Sequence, residues 1–192
     1  MEGGKDMAIC TIQGHVSRAI DFYNKAISEG NGMYFCIAKP TVWSEADLGV
    51  AFVSGTDYEQ NPPTPKNTDS LLDVVGYKRV ESAFLVVQDN IGELDYRGTK
   101  WKVVDAANAS VEGARWVYIS AYLSYNELPT NVVYRQVGVY SGLTKAVGVL
   151  SSKYALNVNE VADAGLLEVI DNRKPVYRSA DLREHMKLII EF

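Results

Sequence analysis

The sequence has few of the residues from which metal centres and redox sites are built. Its 192 residues include two cysteines and two histidines, and neither Cys10 nor Cys36 belongs to a CxxC pair or a Cys/His cluster. Zinc sites draw their ligands from such local pairs, so we expect no metal site. A disulfide is disfavoured in a reducing compartment, and both cysteines are interpreted as small apolar fillers. His15 and His185 are interpreted as ordinary histidines.

The sequence also lacks the short motifs that bind nucleotides, phosphates and calcium. It contains no GxGxxG fingerprint, no Gly-Lys-Ser/Thr phosphate loop and no EF-hand spacing, so we expect no cofactor. Ser141 stands in the string GVYSGL rather than in a GxSxG nucleophile elbow. Glu168 and Asp171 could form a glycosidase carboxylate pair, but on a strand they would point to opposite faces. We therefore predict no catalytic residue and no enzyme, while a serine triad assembled from distant residues stays open.

Positive charge is also scarce. The formal net charge is −5 with a pI near 5.1, and no run of Lys and Arg occurs, which argues against a nucleic-acid-binding protein. The sequence contains no stretch of eighteen or more apolar residues, which is the length needed to span a bilayer. The opening string MEGGKDMAIC lacks the basic-then-apolar layout of a signal peptide. We therefore expect no membrane span and synthesis in the cytoplasm.

What the sequence does contain is strand-like alternation and many tyrosines. It has 12 tyrosines, which are typical both of β-sheet and of protein contacts. The last residues alternate in character, as the two faces of a half-buried strand do. The apolar face carries Leu182, Met186, Leu188, Ile190 and Phe192, and the polar face carries Arg183, His185, Lys187 and Glu191. A strand of this kind is expected to be locked into a sheet or against a partner.

The remaining patterns predict a mainly β, α+β fold, sandwich-like or open-barrel-like. We expect an N-terminal arm over 1–13 and a single β-rich domain over 14–192. Apolar spacing predicts a helix over 15–29, and the prolines Pro62, Pro63 and Pro65 predict a stiff, irregular excursion over 44–70. Strand-like segments follow one another at 33–40, 82–89, 99–105, 114–125, 131–141, 165–171, 174–178 and the last residues, with turns predicted between them, including one at the DNRK string.

The order of several strings points to a family. Residues 34–43 read YFCIAKPTVW, residues 62–70 read PPTPKNTDS, and near the end YRQVG (134–138) precedes DNRKPVYR (171–178). This order resembles the wedge components of contractile-tail bacteriophage baseplates, which carry a Tyr-x-x-Ile-Gly/Ala-Lys-x-x-x-Trp string before a PP-x-P string and Asp-Ser. One departure is Asp95-Tyr96-Arg97-Gly98, which stands where the family has Asp-Trp-x-x-Gly.

The resemblance implies a non-catalytic virion subunit, made in the host cytoplasm. It would assemble around a six-fold axis with other tail or baseplate proteins, or with further copies of itself. Aromatic residues and arginine are enriched at such contacts. The candidate interface residues, for each of which a core role is an equal alternative, are Trp43, Tyr58, Pro62, Pro63, Pro65, Tyr134, Arg135, Tyr140, Arg173, Arg178 and Phe192. The alternative functions are a carbohydrate-binding β module on a tail tip, with Trp43, Trp101 and Trp116 stacking on sugars, and a hydrolase.

Overall fold

The computed structural model describes residues 9–28, 32–49, 62–64 and 68–192. Its helices are α1 (Ile12–Ile27), α2 (Glu45–Leu48) and α3 (Ala109–Glu112), with 3-10 turns at Ala106–Asn108 and Val158–Glu160. Its strands are β1 (Tyr34–Ala38), β2 (Gly76–Arg79), β3 (Ser82–Gln88), β4 (Leu94–Tyr96), β5 (Thr99–Val104), β6 (Trp116–Leu123), β7 (Val132–Ser141), β8 (Thr144–Lys145), β9 (Ala155–Asn157), β10 (Val161–Asp163), β11 (Leu166–Arg178) and β12 (Glu184–Glu191). The predicted class, mainly β and sandwich-like or open-barrel-like with one N-terminal helix, is confirmed.

The described residues fall into two compact units, each built from separate stretches of chain. The first unit comprises residues 9–24, 83–118 and 188–192, and the second comprises the described parts of 25–82 together with 119–187. The chain passes from one unit to the other at four points, after residues 24, 82, 118 and 187. Neither unit is a contiguous piece of sequence.

Helix α1 begins earlier than its apolar spacing predicts. Thr11 caps it, because its hydroxyl oxygen accepts a hydrogen bond from the Gly14 backbone N–H at 3.1 Å. The buried stripe consists of Val16, Ala19, Phe22 and Ala26. Phe22 is not among the apolar positions that predict the helix, whereas Ile27 is among them and is 49% exposed; those positions are Val16, Ala19, Ile20, Tyr23, Ala26 and Ile27. The helix was therefore placed correctly, but its buried face is rotated from the predicted one.

The second unit contains a five-stranded sheet in the order β11-β7-β1-β2-β9. The central strand β1 is antiparallel to both neighbours, and Cys36 stands opposite Tyr77 on one side and Gly138 on the other. All five residues of β1 are buried, which explains its unbroken apolar sequence. Burial raises the pKa of the Cys36 thiol, so this cysteine is the small apolar filler that we predicted, whereas Cys10 is exposed.

The other five-stranded sheet has the order β12-β6-β3-β5-β4. In the first unit, Val86, Trp101 and Tyr118 form a buried cluster against which Ile189 of β12 packs. Phe192 contacts Phe22 with ring centroids 5.0 Å apart. The apolar face predicted for the last strand is confirmed at Met186 and Leu188, which are both buried. Leu182 precedes the strand and is exposed.

Strand β11 corrects the prediction of a turn at the DNRK string. It runs unbroken from Leu166 to Arg178 along β7. Asn172 is paired with Gln136 and Val176 with Tyr134, so residues 173–175 stand opposite the single residue Arg135. The turn-forming residues are thus accommodated as a bulge inside one strand.

Two glycines beside the end of β7 offer a matched test of backbone geometry. Gly142 and Gly165 both have left-handed φ angles, +74° and +76°, but only at Gly165 would an added Cβ collide, at 2.1 Å from the Ser141 carbonyl oxygen. We expect Gly142→Ala to cost about 1–2 kcal/mol of unfolding free energy from the left-handed backbone alone. Gly165→Ala should cost about 1–3 kcal/mol more because of the collision.

Urea unfolding of the two variants would measure the difference. Equal losses of unfolding free energy would show that the Ser141 carbonyl moves aside without cost.

Candidate interaction surface

The residues predicted to contact other subunits are divided between the interior and the surface. The buried ones are Trp43, Pro62, Tyr134, Arg135, Tyr140 and Arg178. Pro63 is exposed, and Arg173 and Phe192 are partly exposed. Tyr58 and Pro65 lie outside the described residues. The buried side chains make contacts within the chain, so the interface role of the set stays a prediction.

Arg178 is the most deeply buried charged side chain among the described residues, with 1% of its side-chain surface exposed. Its Nη2 donates to the Ser124 carbonyl at 2.6 Å and to the Glu127 carbonyl. Its Nη1 lies 3.8 Å from Glu184 Oε2, and Tyr134 donates its hydroxyl proton to Glu184 Oε1. Burial and the Glu184 carboxylate raise the pKa of Tyr134, which keeps this donor protonated. Arg178 therefore fixes the turn that begins at Ser124.

A second buried cation supports the same turn. Lys78, on β2, has 5% of its side chain exposed and donates to both carboxylate oxygens of Glu127, at 2.9 and 3.1 Å, while Glu81 lies 3.0 Å away. Glu127 in turn accepts the Ser124 N–H at 2.8 Å. The next residue, Leu128, has a φ of +57°, a strained conformation for leucine. The turn is held in one shape by two buried charges from two strands.

Of the proline-rich segment, which spans residues 62–70, the described residues 62–64 lie beside β11, an edge strand of its sheet. The Asn172 backbone N–H donates to Thr64 Oγ1 at 3.0 Å, and its Nδ2 donates to the Pro63 carbonyl at 3.2 Å. Gln136 Nε2 donates to Asn172 Oδ1 at 2.9 Å, and Gln136 Oε1 accepts the Leu72 N–H, also at 2.9 Å. A proline-rich stretch has no hydrogen bonds of its own. Asn172, which is itself held by the buried Gln136 amide, supplies them here, and residues 62–64 cover part of a sheet edge that would otherwise attract other strands.

We expect Asn172→Ala to release this segment. The substitution removes two side-chain hydrogen bonds and leaves the buried Gln136 amide without its acceptor, at a cost of about 1–3 kcal/mol in unfolding free energy. Urea denaturation would measure the loss. Asn126→Ala, at an exposed position of the neighbouring turn, is the control and should stay within about 0.5 kcal/mol of the unsubstituted chain. Equal effects of the two substitutions would contradict the anchoring role of Asn172.

The start of the predicted excursion is anchored as well. Lys39 has 4% of its side chain exposed, and its Nζ lies 3.0 Å from Asp47 Oδ2 and 5.7 Å from the Trp43 ring centroid. Asp47 and Ser44 form a capping box on α2. Hydrogen bonds from the Ser44 hydroxyl and then from Lys39 lower the pKa of Asp47. Trp43 is thus part of an internal anchor rather than an open aromatic surface.

Trp43 and Trp101 do not provide the sugar-stacking surface that the carbohydrate-binding alternative requires. Trp43 is 3% exposed and Trp101 is 9% exposed, so the expected exposure is wrong for both. Trp116 meets Trp101 edge-on at 5.8 Å between ring centroids. The Arg115 guanidinium lies 4.4 Å from the centroid of the Trp116 ring.

The groups considered for hydrolysis are engaged in separate pairs. Ser141 donates to Glu168 Oε1 at 2.6 Å, and Lys25 Nζ lies 3.1 Å from the same oxygen. Asp171 instead pairs with Arg173 at 2.6 Å. Among the described residues, no group of three His, Cys, Asp or Glu side chains is arranged to hold a metal ion. In the same part of the chain, no helix combines the length and apolar character needed to cross a membrane.

Comparison with known proteins decides the family. Residues 7–192 match the family model described as "Baseplate wedge 3 tail fiber network component". The chain belongs to this family. It is also similar to "Virion protein 3" of Enterococcus phage phiEF24C, with 30% identity over 191 residues that cover 96% of this chain and 94% of that protein.

Membership of the baseplate wedge 3 family confirms the resemblance seen in the sequence. The chain is a structural component of the phage virion, in the tail or baseplate, and it contacts other tail proteins there. The strings YRQVG and DNRKPVYR, on which the resemblance partly rested, contain Tyr134, Gln136, Asn172 and Arg178. These are the residues that hold the proline-rich segment and the Ser124 turn.

Sequence reasoning missed Lys78, Gln136, Asn172 and Glu184 as contributors to this surface. Gln136 and Asn172 lie inside the quoted strings, which was the available signal. Lys78 and Glu184 carry no local signal, since their partners are 49 and 50 residues away.

Proposed function

We propose that the chain is a non-catalytic scaffold subunit, whose task in the baseplate is to present surfaces of fixed shape to other tail proteins. The observation that carries this proposal is the use of its buried polar groups. Arg178 and Lys78 hold the Ser124 turn, and Asn172 and Gln136 hold the proline-rich segment. Arg178, Lys78 and Asn172 form hydrogen bonds with these surface segments, and Gln136 orients Asn172.

The contact surface that we propose combines the proline-rich segment with the bulge of β11. Pro63 is exposed beside Asn172, and Arg173 is partly exposed in the bulge. Tyr58 and Pro65 keep their predicted contact role. The buried members of the predicted set, Trp43, Pro62, Tyr134, Arg135, Tyr140 and Arg178, act behind this surface by holding it in place. We further propose that the subunit is made in the host cytoplasm, and that contacts with further copies of itself are secondary to contacts with other tail proteins.

Reconstitution with the other baseplate proteins of the same phage tests the proposal. Co-expressed with each of them in turn, the chain is expected to elute with at least one as a complex of fixed stoichiometry. A chain that stays alone in every combination would overturn the scaffold role. Hydrolysis of cell-surface polysaccharide by the purified chain, lost on Ser141→Ala or Glu168→Gln, would overturn the non-catalytic part.

We also propose that residues 14–192 form a single domain preceded by an arm over residues 1–13. Of that arm, residues 1–8 lie outside the described residues and Ile12 already belongs to α1. Because the chain passes between the two units at four points, we expect both to unfold together. Thermal unfolding should give one transition, with equal calorimetric and van't Hoff enthalpies. Two resolved transitions would show that the units are independent domains.

A further inference from the structure

The loop over residues 146–152 carries the two most exposed large apolar side chains among the described residues of the second unit. Its string AVGVLSS contains no charged residue. Val147 is fully exposed and Leu150 is 71% exposed, whereas Val149 between them packs against the buried cluster of the sheet. The loop therefore turns one apolar side chain inward and two outward.

Lys145 holds the loop in shape through hydrogen bonds to backbone carbonyls. Lys145 Nζ donates to the carbonyls of Leu150, Ser151 and Lys153 at 3.1, 2.7 and 2.6 Å. An ammonium group has three donors; two of them are used on this loop and the third on Lys153, the residue that follows it. The Ala146 N–H donates to the Glu160 carbonyl at 2.9 Å, which ties the loop to the 3-10 turn over Val158–Glu160. A loop that is already ordered loses little conformational entropy when a partner binds it.

The chemistry of the loop defines its partner. The cores of protein interfaces are depleted in charged residues, and a tip without charge fits a cleft without charge. Two grooves formed by described residues of the second unit carry charged walls. One, of about 570 Å³, is lined by Arg79 and Glu81, and the other, of about 290 Å³, by Glu127 and Lys153. Packing Val147 and Leu150 against these charges would remove water from the charges without replacing its hydrogen bonds, so neither of these two grooves on a second copy of the chain matches the loop.

We propose that the 146–152 loop docks into a neutral, apolar cleft on a different tail or baseplate protein, with Val147 and Leu150 as its anchors. The proposal rests on the scaffold function above and names a contact that serves it. The loop lies apart in sequence from the proline-rich segment, so it gives the subunit a second attachment point.

The test compares two double variants in binding to the baseplate protein with which the unsubstituted chain forms a complex. The test variant is Val147→Asp with Leu150→Asp. The control is Ile91→Asp with Val111→Asp, which adds the same charge at positions that are 93% and 88% exposed. We expect the test variant to raise the dissociation constant at least about 100-fold, as the loss of two anchors does. The control should change the dissociation constant less than about threefold. Thermal melting of both variants should match the unsubstituted chain, because all four side chains are exposed.

Three other results would count against the docking role of the loop or against the scaffold function. Unchanged binding by the test variant, or equal weakening by the control, would overturn the docking role of the loop while the scaffold function stands. Sedimentation showing self-association that only the test variant loses would also overturn it, because the occupant would then be a second copy. Failure of the unsubstituted chain to bind any baseplate protein would instead count against the scaffold function.

Discussion

Deletion of residues 188–192 is expected to lower the melting temperature by roughly 10–20 °C or to leave the chain unfolded. The deletion removes Leu188, which is 4% exposed, Ile189, which packs against the buried cluster of the first unit, and Phe192, which contacts Phe22. A fully buried side chain such as Leu188 contributes about 1.5–3 kcal/mol, and the partly buried Ile189 and Phe192 contribute less. Their sum is still a large fraction of the stability of a typical domain, about 5–15 kcal/mol.

Circular dichroism during heating would measure the effect. Glu191→Ala is the matched control within the same five residues, because its pair with Arg115 is exposed on both sides and such pairs contribute about 0–1 kcal/mol. A deleted chain that melts within a few degrees of the control would show that the end of β12 contributes little to the fold.

Replacement of Arg178 by methionine is expected to cost about 3–5 kcal/mol of unfolding free energy, the usual result of removing one partner of a buried charged pair. The variant keeps most of the side-chain volume but leaves the carbonyls of Ser124 and Glu127 without their donor. It also leaves the Glu184 carboxylate without its nearest described cation. Burial lowers the pKa of Arg178, yet a guanidinium remains charged at every relevant pH, so the loss should show no titration near neutrality.

Two measurements separate this role from general packing. Urea denaturation should show the full loss for Arg178→Met and less than about 0.5 kcal/mol for Arg18→Met on the exposed face of α1. Hydrogen exchange should quicken first in the turn over residues 124–128, because that is the segment that Arg178 holds. Exchange that quickens uniformly, or a loss matched by Arg18→Met, would contradict the assignment.

The strands and the helix were predictable because their signals are local. Alternation gave β12, and an unbroken apolar run gave β1, since neighbouring side chains in sequence report which face is buried. The shortest strands, β4, β8, β9 and β10, were missed because two or three residues are too few to show a period. The bulge in β11 was read as a turn, because Asp, Asn and Pro favour both structures and only pairing with β7 distinguishes them.

The candidate surface was predictable only in part. The proline-rich segment and the closing strings were singled out by their sequence, and arginine and tyrosine were interpreted as contact residues on composition, with a core role as the equal alternative. Arg178 and Tyr134 are instead buried. Charged residues are almost never buried unless they are paired, and although Glu184 lies close in sequence, the carbonyls that accept the hydrogen bonds of Arg178 lie about fifty residues before it, at Ser124 and Glu127. No local pattern reports a partner at that distance.

The division of the chain into its two units sets the order in which the protein can complete its structure on the ribosome. The first unit joins residues 9–24 and 83–118 to residues 188–192, which are translated last of these three segments. Until they leave the exit tunnel, Phe22 has no Phe192 against which to pack and the cluster around Trp101 lacks Ile189. A growing chain therefore exposes this apolar surface until residues 188–192 emerge, and only then can the first unit complete its packing.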